Sequence, residues 1–152
     1  MLYILMQNII FFSYDVIFLS PLAELIEKFK ETKAKVVFAA EKFSWPDNDL
    51  RTKYPKIDAD DGQRFLNSGM FIGYAHNIFN IINSVDVADQ DDDQLFYTHA
   101  YLNEKLREAN KIQLDHNSRM FQNLNGNIDD VMVAINAQGE TNLVNKKYST
   151  NP

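Results

Sequence analysis

The chain reads as an α/β domain in which helices flank a sheet, and three observations carry that reading. Ile9-Ile10-Phe11-Phe12 and Val36-Val37-Phe38-Ala39 are unbroken runs of strand formers, the pattern of strands buried on both faces. Between them Leu22, Leu25, Ile26 and Phe29 recur at helical spacing up to Lys30, behind Ser20 as a cap and Pro21 at the first helical position. Strand, helix and strand in succession predict a right-handed crossover and a parallel pair.

Glu41 to Gly62 is rich in turn formers, notably Trp45-Pro46-Asp47, Tyr54-Pro55 and Asp58-Ala59-Asp60-Asp61-Gly62, and predicts a long ordered loop with little regular structure. Phe65 to Tyr74 predicts a strand passing through Asn67-Ser68-Gly69, and Ile78, Phe79, Ile81 and Ile82 a helix. The acidic run Asp89 to Asp93 breaks the pattern. Leu95, Phe96, His99, Leu102 and Leu106 predict one further helix, Lys111 to Leu114 a strand, and Ile128 to Ile135 a strand with partial alternation.

At 152 residues a single domain is expected. A net charge of −6 gives no broad basic surface, so nucleic acid and anionic membrane are not expected as main partners. The absence of cysteine removes disulfides, thiolate metal sites and a cysteine nucleophile. Met1 to Phe12 has the apolarity of a secretory leader, but no Lys or Arg precedes it and no small-residue cleavage site closes it, so it reads as strand, and no stretch is long enough to span a bilayer.

Several clusters could carry chemistry. Asp86-Val87-Ala88-Asp89-Gln90-Asp91-Asp92-Asp93-Gln94 is the densest acidic stretch. It suits first a helix N-terminus, where carboxylates cap free N–H groups, and second the orientation of sugar hydroxyls, a Mn²⁺ or Mg²⁺ site, or a general base. Asn67-Ser68-Gly69 is either a bulge or a place where a ligand nears the backbone. Trp45 offers a face for stacking on a base or sugar, or an anchor for its loop. Asp115-His116 ends a strand, where α/β ligand sites gather, yet such a dipeptide is more often structural. His76 and His99 have no partners at metal-ligand spacing. Asp15 is the one carboxylate in Ile9 to Leu19, and a charge there needs a partner, a hydrogen bond or a metal.

In order along the chain, Phe11-Phe12-Ser13-Tyr14-Asp15-Val16-Ile17-Phe18, Val36-Val37-Phe38-Ala39-Ala40-Glu41, Trp45-Pro46-Asp47, Tyr54-Pro55, Arg64 to Ala75, Asp91 to Thr98, Leu114-Asp115-His116 and Phe121-Gln122-Asn123-Leu124 resemble one family. It is the glycosyltransferase domain of the procollagen lysyl hydroxylases, related to the collagen galactosyltransferases. The resemblance implies one partial domain over residues 1–152 with an incomplete GT-A-like (Rossmann-like) mixed sheet between helices. It further implies Mn²⁺, UDP-glucose or UDP-galactose as donor, a collagen-like acceptor carrying hydroxylysine or galactosyl-hydroxylysine, and the lumen of the endoplasmic reticulum. Oligomeric state is left open.

Carried over residue by residue, the resemblance makes Asp92 and Asp93 catalytic, facing the transferred sugar. Trp45, Asn67, Ser68 and Asp91 bind the donor, and Asp15 is a metal ligand. The family's metal site is an Asp-x-x-Asp pair with a histidine further along. Here Asp15 matches the second aspartate, Phe12 occupies the first, and the chain stops before the histidine segment. The departure implies weak transfer, or none, from this chain alone. It also opens the alternative of a non-catalytic binding protein that retains the fold.

Overall fold

In a computed structural model, described residues are 2–6, 9–13, 16–57, 62–86, 88, 90–139 and 141–152, with the backbone alone for 2–6 and 9–13. The elements are β1 (Leu2–Met6), β2 (Ile9–Ser13), α1 (Leu22–Thr32), β3 (Val36–Glu41), β4 (Phe65–Tyr74), α2 (Ala75–Ile82), α3 (Asp93–Leu102), α4 (Glu104–Ala109), β5 (Ile112–Asp115), β6 (Val131–Ile135) and β7 (Thr141–Asn145). Short 3-10 helices cover Asn48–Lys53 and Ile128–Asp130.

A five-stranded mixed sheet runs in the order β1-β2-β4-β3-β5, and β6 and β7 form a separate antiparallel ribbon. β2, α1 and β3 follow one another as expected, but the two strands are not neighbours. β4 lies antiparallel between β2 and β3, so those two strands share a direction without touching, and the parallel pair is β3 with β5. Gly73 makes the insertion possible: a Cβ there would meet the Lys35 carbonyl oxygen and Val36 Cγ2, each at 2.9 Å. Only a residue without a side chain lets β4 lie this close to the start of β3.

β3 is buried along its whole length, and its side chains alternate between two cores. Val36, Phe38 and Ala40 face α2, α3 and α4, packing with Phe71, Ile78, Ile81, Tyr101 and Leu114. Val37 and Ala39 face α1, packing with Leu25, Phe29, Ile72, Met120 and Phe121. A strand covered on both faces must be apolar at every position, which accounts for the unbroken run in the sequence.

Other boundaries differ from expectation for local reasons. Ser20 does not cap α1: Pro21 holds the cap position without a side-chain bond, and its carbonyl accepts from Glu24 N. The helix expected from Leu95 to Leu106 divides at Asn103, whose side-chain oxygen accepts from Leu106 N at 3.2 Å and starts α4. The strand expected from Ile128 begins at Val131, after a 3-10 turn. The long loop holds a 3-10 helix capped by Asp47, whose Oδ1 accepts from Asp49 N at 2.8 Å. Buried Tyr54 then anchors that loop, accepting from Leu66 N at 3.3 Å and donating to Thr98 Oγ1 at 3.4 Å. Among the described residues no helix is long and apolar enough to cross a membrane.

Candidate active-site cleft

β4 is regular against β2 but not against β3. Phe71 pairs with Phe38, and the next partner, of Ala39, is Asn67, so Ser68, Gly69 and Met70 bulge out of the β3 ladder. Bulges of this kind re-aim side chains and are frequent beside sites. The bulge lies toward the carboxyl ends of β2, β3 and β5, where open α/β sheets bind ligands. A cleft of about 600 Å³ opens over it, lined by Asn67, Gly69 and Met70, by the segment Val16 to Ser20, and by Phe121 to Asn125. Within the bulge Asn67 Oδ1 accepts from Gly69 N at 3.0 Å.

Below the cleft lies a carboxylate that the sequence reading did not assign. Glu41 ends β3 and is 4% exposed. Burial raises its pKa to about 7, and hydrogen bonds from the side chains of Asn67 and Asn123 hold it from rising further. The Asn123 bond is from Nδ2 to Oε2 at 3.4 Å. Since Asn67 Oδ1 is turned to Gly69 N, the Asn67 NH₂ is the group left for Glu41. A carboxyl group near neutrality is poised to gain or lose a proton, and its signal in the sequence was a single charge closing the run Val36 to Glu41.

The acidic run sits at the start of α3. Asp92 caps the helix, its Oδ1 accepting from Leu95 N at 2.7 Å, and Asp91 Oδ2 accepts from Ala88 N at 2.8 Å. Asp93 lies in the first turn. All three are exposed. The capping reading therefore accounts for one oxygen of Asp92, while one oxygen of Asp91 is held by the turn before α3.

Gln94, the next residue, joins these parts. It is buried, and its Oε1 accepts from Ser68 N at 2.6 Å. Its Nε2 donates to Leu66 O at 2.5 Å and to Trp45 O at 3.3 Å. Through this amide the acidic helix start, the bulge and the Trp45 loop are brought together. Trp45 itself is 66% exposed, which leaves its ring face open.

Asp15 lies outside the described residues, and of Phe12 the backbone alone is described, within β2. Among the described residues no three His, Asp or Glu side chains converge to hold a metal ion. Asp115 is structural: its buried carboxylate accepts from the N–H groups of Arg119, Met120 and Phe121 at 2.7 to 2.9 Å, and burial outweighs those bonds to raise its pKa. His116 Nδ1 bonds Gln63 O at 2.6 Å, so the pair Asp115-His116 shapes a turn. His76 and His99 are exposed on α2 and α3.

A mixed sheet between helices, with a cleft and a near-neutral carboxyl at its carboxyl edge, defines a GT-A-like α/β domain. The family described as PLOD GT domain matches residues 5–152, and the chain belongs to it: the glycosyltransferase domain of the procollagen lysyl hydroxylases. The chain is 47% identical over 140 residues to the multifunctional procollagen lysine hydroxylase and glycosyltransferase LH3 of Rattus norvegicus, covering 92% of this chain and 18% of that protein. It is 51% identical over 121 residues to procollagen-lysine,2-oxoglutarate 5-dioxygenase 1 of Gallus gallus, covering 80% of this chain and 16% of the relative. To the human LH3 protein it is 44% identical over 140 residues. The chain thus spans less than a fifth of the length of these relatives.

Proposed function

We propose that residues 1–152 act as one partial glycosyltransferase domain that takes UDP-glucose or UDP-galactose and a collagen-type acceptor bearing hydroxylysine or galactosyl-hydroxylysine. The observation that carries this reading is the joining of Trp45 and Ser68 by the side chain of Gln94, the residue that follows the Asp91 to Asp93 run at the start of α3, beside a cleft at the bulge. Those are the residues the family resemblance assigns to the donor and the transferred sugar. The names of the relatives, procollagen lysine hydroxylase and glycosyltransferase, support the acceptor class and a place in the secretory pathway, and the family resemblance carries that place to the reticulum lumen.

In the reaction the acceptor hydroxyl oxygen bonds to the anomeric carbon, and the bond from that carbon to the diphosphate breaks, its electron pair leaving with UDP. The hydroxyl proton passes to Asp93, whose place in the exposed first turn of α3 leaves it open to the acceptor. Asp92 and Asp91, each holding one oxygen on a backbone N–H, orient sugar hydroxyls with the other. Asn67 and Ser68 border the donor, and Trp45 stacks on a sugar face. Glu41 sets the orientation of the Asn67 and Asn123 amides under the cleft.

The resemblance expects manganese at Asp15. Phe12, three residues earlier, presents hydrocarbon where the partner carboxylate belongs, and one carboxylate does not define a coordination geometry. That departure favours a second reading, a binding protein that keeps the sugar and acceptor surface without transfer. Calorimetric titration with a galactosyl-hydroxylysine peptide, with UDP release followed in parallel, separates the two. Acceptor binding with UDP release that rises on Phe12→Asp with Mn²⁺ supports the transferase. Binding with no release in either form supports the second reading, and no binding of peptide or UDP-sugar sinks both.

A further inference from the structure

We propose that Gln94 is the positioning residue that fixes the Trp45 loop against the β4 bulge and the acidic start of α3. The inference rests on the proposed function for its purpose, not for its test. Three backbone groups from two separate segments meet one buried side-chain amide: Ser68 N at 2.6 Å, Leu66 O at 2.5 Å and Trp45 O at 3.3 Å. The orientation of the amide is dictated by these partners, since an N–H needs the oxygen and two carbonyls need the NH₂. Any other side chain of this length leaves buried backbone groups unsatisfied or sets an oxygen against two carbonyls. Trp45 is 66% exposed, so side-chain packing does little to hold it, and its link through the carbonyl to Gln94 carries the constraint. A residue that must stack on a sugar needs this constraint, because an aromatic ring free to swing forfeits the orientation that stacking requires.

The chain contains a single tryptophan, so its fluorescence reports on Trp45 alone. Time-resolved anisotropy of the 152-residue chain should show little sub-nanosecond depolarisation, and Gln94→Glu should increase the amplitude of that fast component about twofold or more. Thr98→Val serves as the control. It removes the buried Tyr54 to Thr98 bond on the same helix without touching Trp45, and should leave the fast component unchanged. Equal loosening in both variants, or none in Gln94→Glu, overturns the proposal. Should Gln94→Glu not fold, exchange of the Gln94 side-chain amide protons in the unsubstituted chain decides: protection of about 100-fold over a free amide supports the clamp, and exchange at the free rate overturns it. Neither readout depends on transfer, so failure of the clamp and failure of the transferase reading are distinguishable.

Discussion

Asn123 Nδ2 donates to Glu41 Oε2 at 3.4 Å, tying the loop after β5 to the end of β3 beneath the cleft. Because Glu41 is buried, its pKa lies near 7 instead of 4.5. The raised value means that the folded state binds the proton more tightly than the unfolded chain. The group's contribution to stability is therefore fully present below pH 4.5 and is lost as pH rises through about 7. Replacing Glu41 with Gln removes that dependence, so the stability of Glu41→Gln relative to the parent should grow by about 3 kcal/mol between pH 4.5 and pH 8, read by urea unfolding at each pH. A difference that does not vary with pH contradicts the raised value.

Asp92 serves the helix and, in the proposed function, the sugar. Asp92→Ala should cost about 1 kcal/mol through loss of the cap, whereas Asp92→Ser, which keeps a capping oxygen, should cost a few tenths. Both should weaken binding of the UDP-sugar. If Asp92→Ser binds as the parent does, the residue is a cap and nothing more.

Trp45 separates binding from stability in the opposite direction. Its exposed ring predicts that Trp45→Ala shifts unfolding by less than about 0.5 kcal/mol. Binding of UDP-galactose should weaken by about tenfold, as the loss of one aromatic contact to a sugar implies. A large stability loss with unchanged binding would make Trp45 a loop anchor.

Gly73→Ala probes the strand order. The added methyl meets the Lys35 carbonyl and Val36 Cγ2 at 2.9 Å, and the backbone on one side is fixed by the sheet. A loss of about 2 kcal/mol or more is expected in thermal or urea unfolding. No loss would mean that β4 does not lie this close to β3.

Much of this fold was legible because it is written locally. The apolar spacing of α1 and the unbroken run at Val36 each report the burial of one element, and the run at Ile9 marks a strand. The position of β4 between β2 and β3 is not local: it depends on Gly73 meeting Lys35 and Val36, which nothing in the strand's own pattern states. The site divides in the same way. Asn67-Ser68-Gly69 left bulge and ligand approach open, and the structure has a bulge that borders the cleft. Gln94 passed unassigned because its role comes from Leu66, Ser68 and Trp45, which lie 26 to 49 residues away in the chain. Glu41 carried a signal, a charge at the end of an apolar strand, that gains meaning only once Asn67 and Asn123 are seen beside it.

The central claim is that the bulge, the start of α3 and Trp45 form one sugar-binding site. Titration of the nitrogen-labelled chain with UDP-galactose, followed by two-dimensional NMR, tests it most directly. The account predicts saturable shifts of the Ser68, Gly69 and Leu95 amides and of the Trp45 indole, all with one dissociation constant. Shifts confined to other elements, or none at millimolar UDP-galactose, would contradict it.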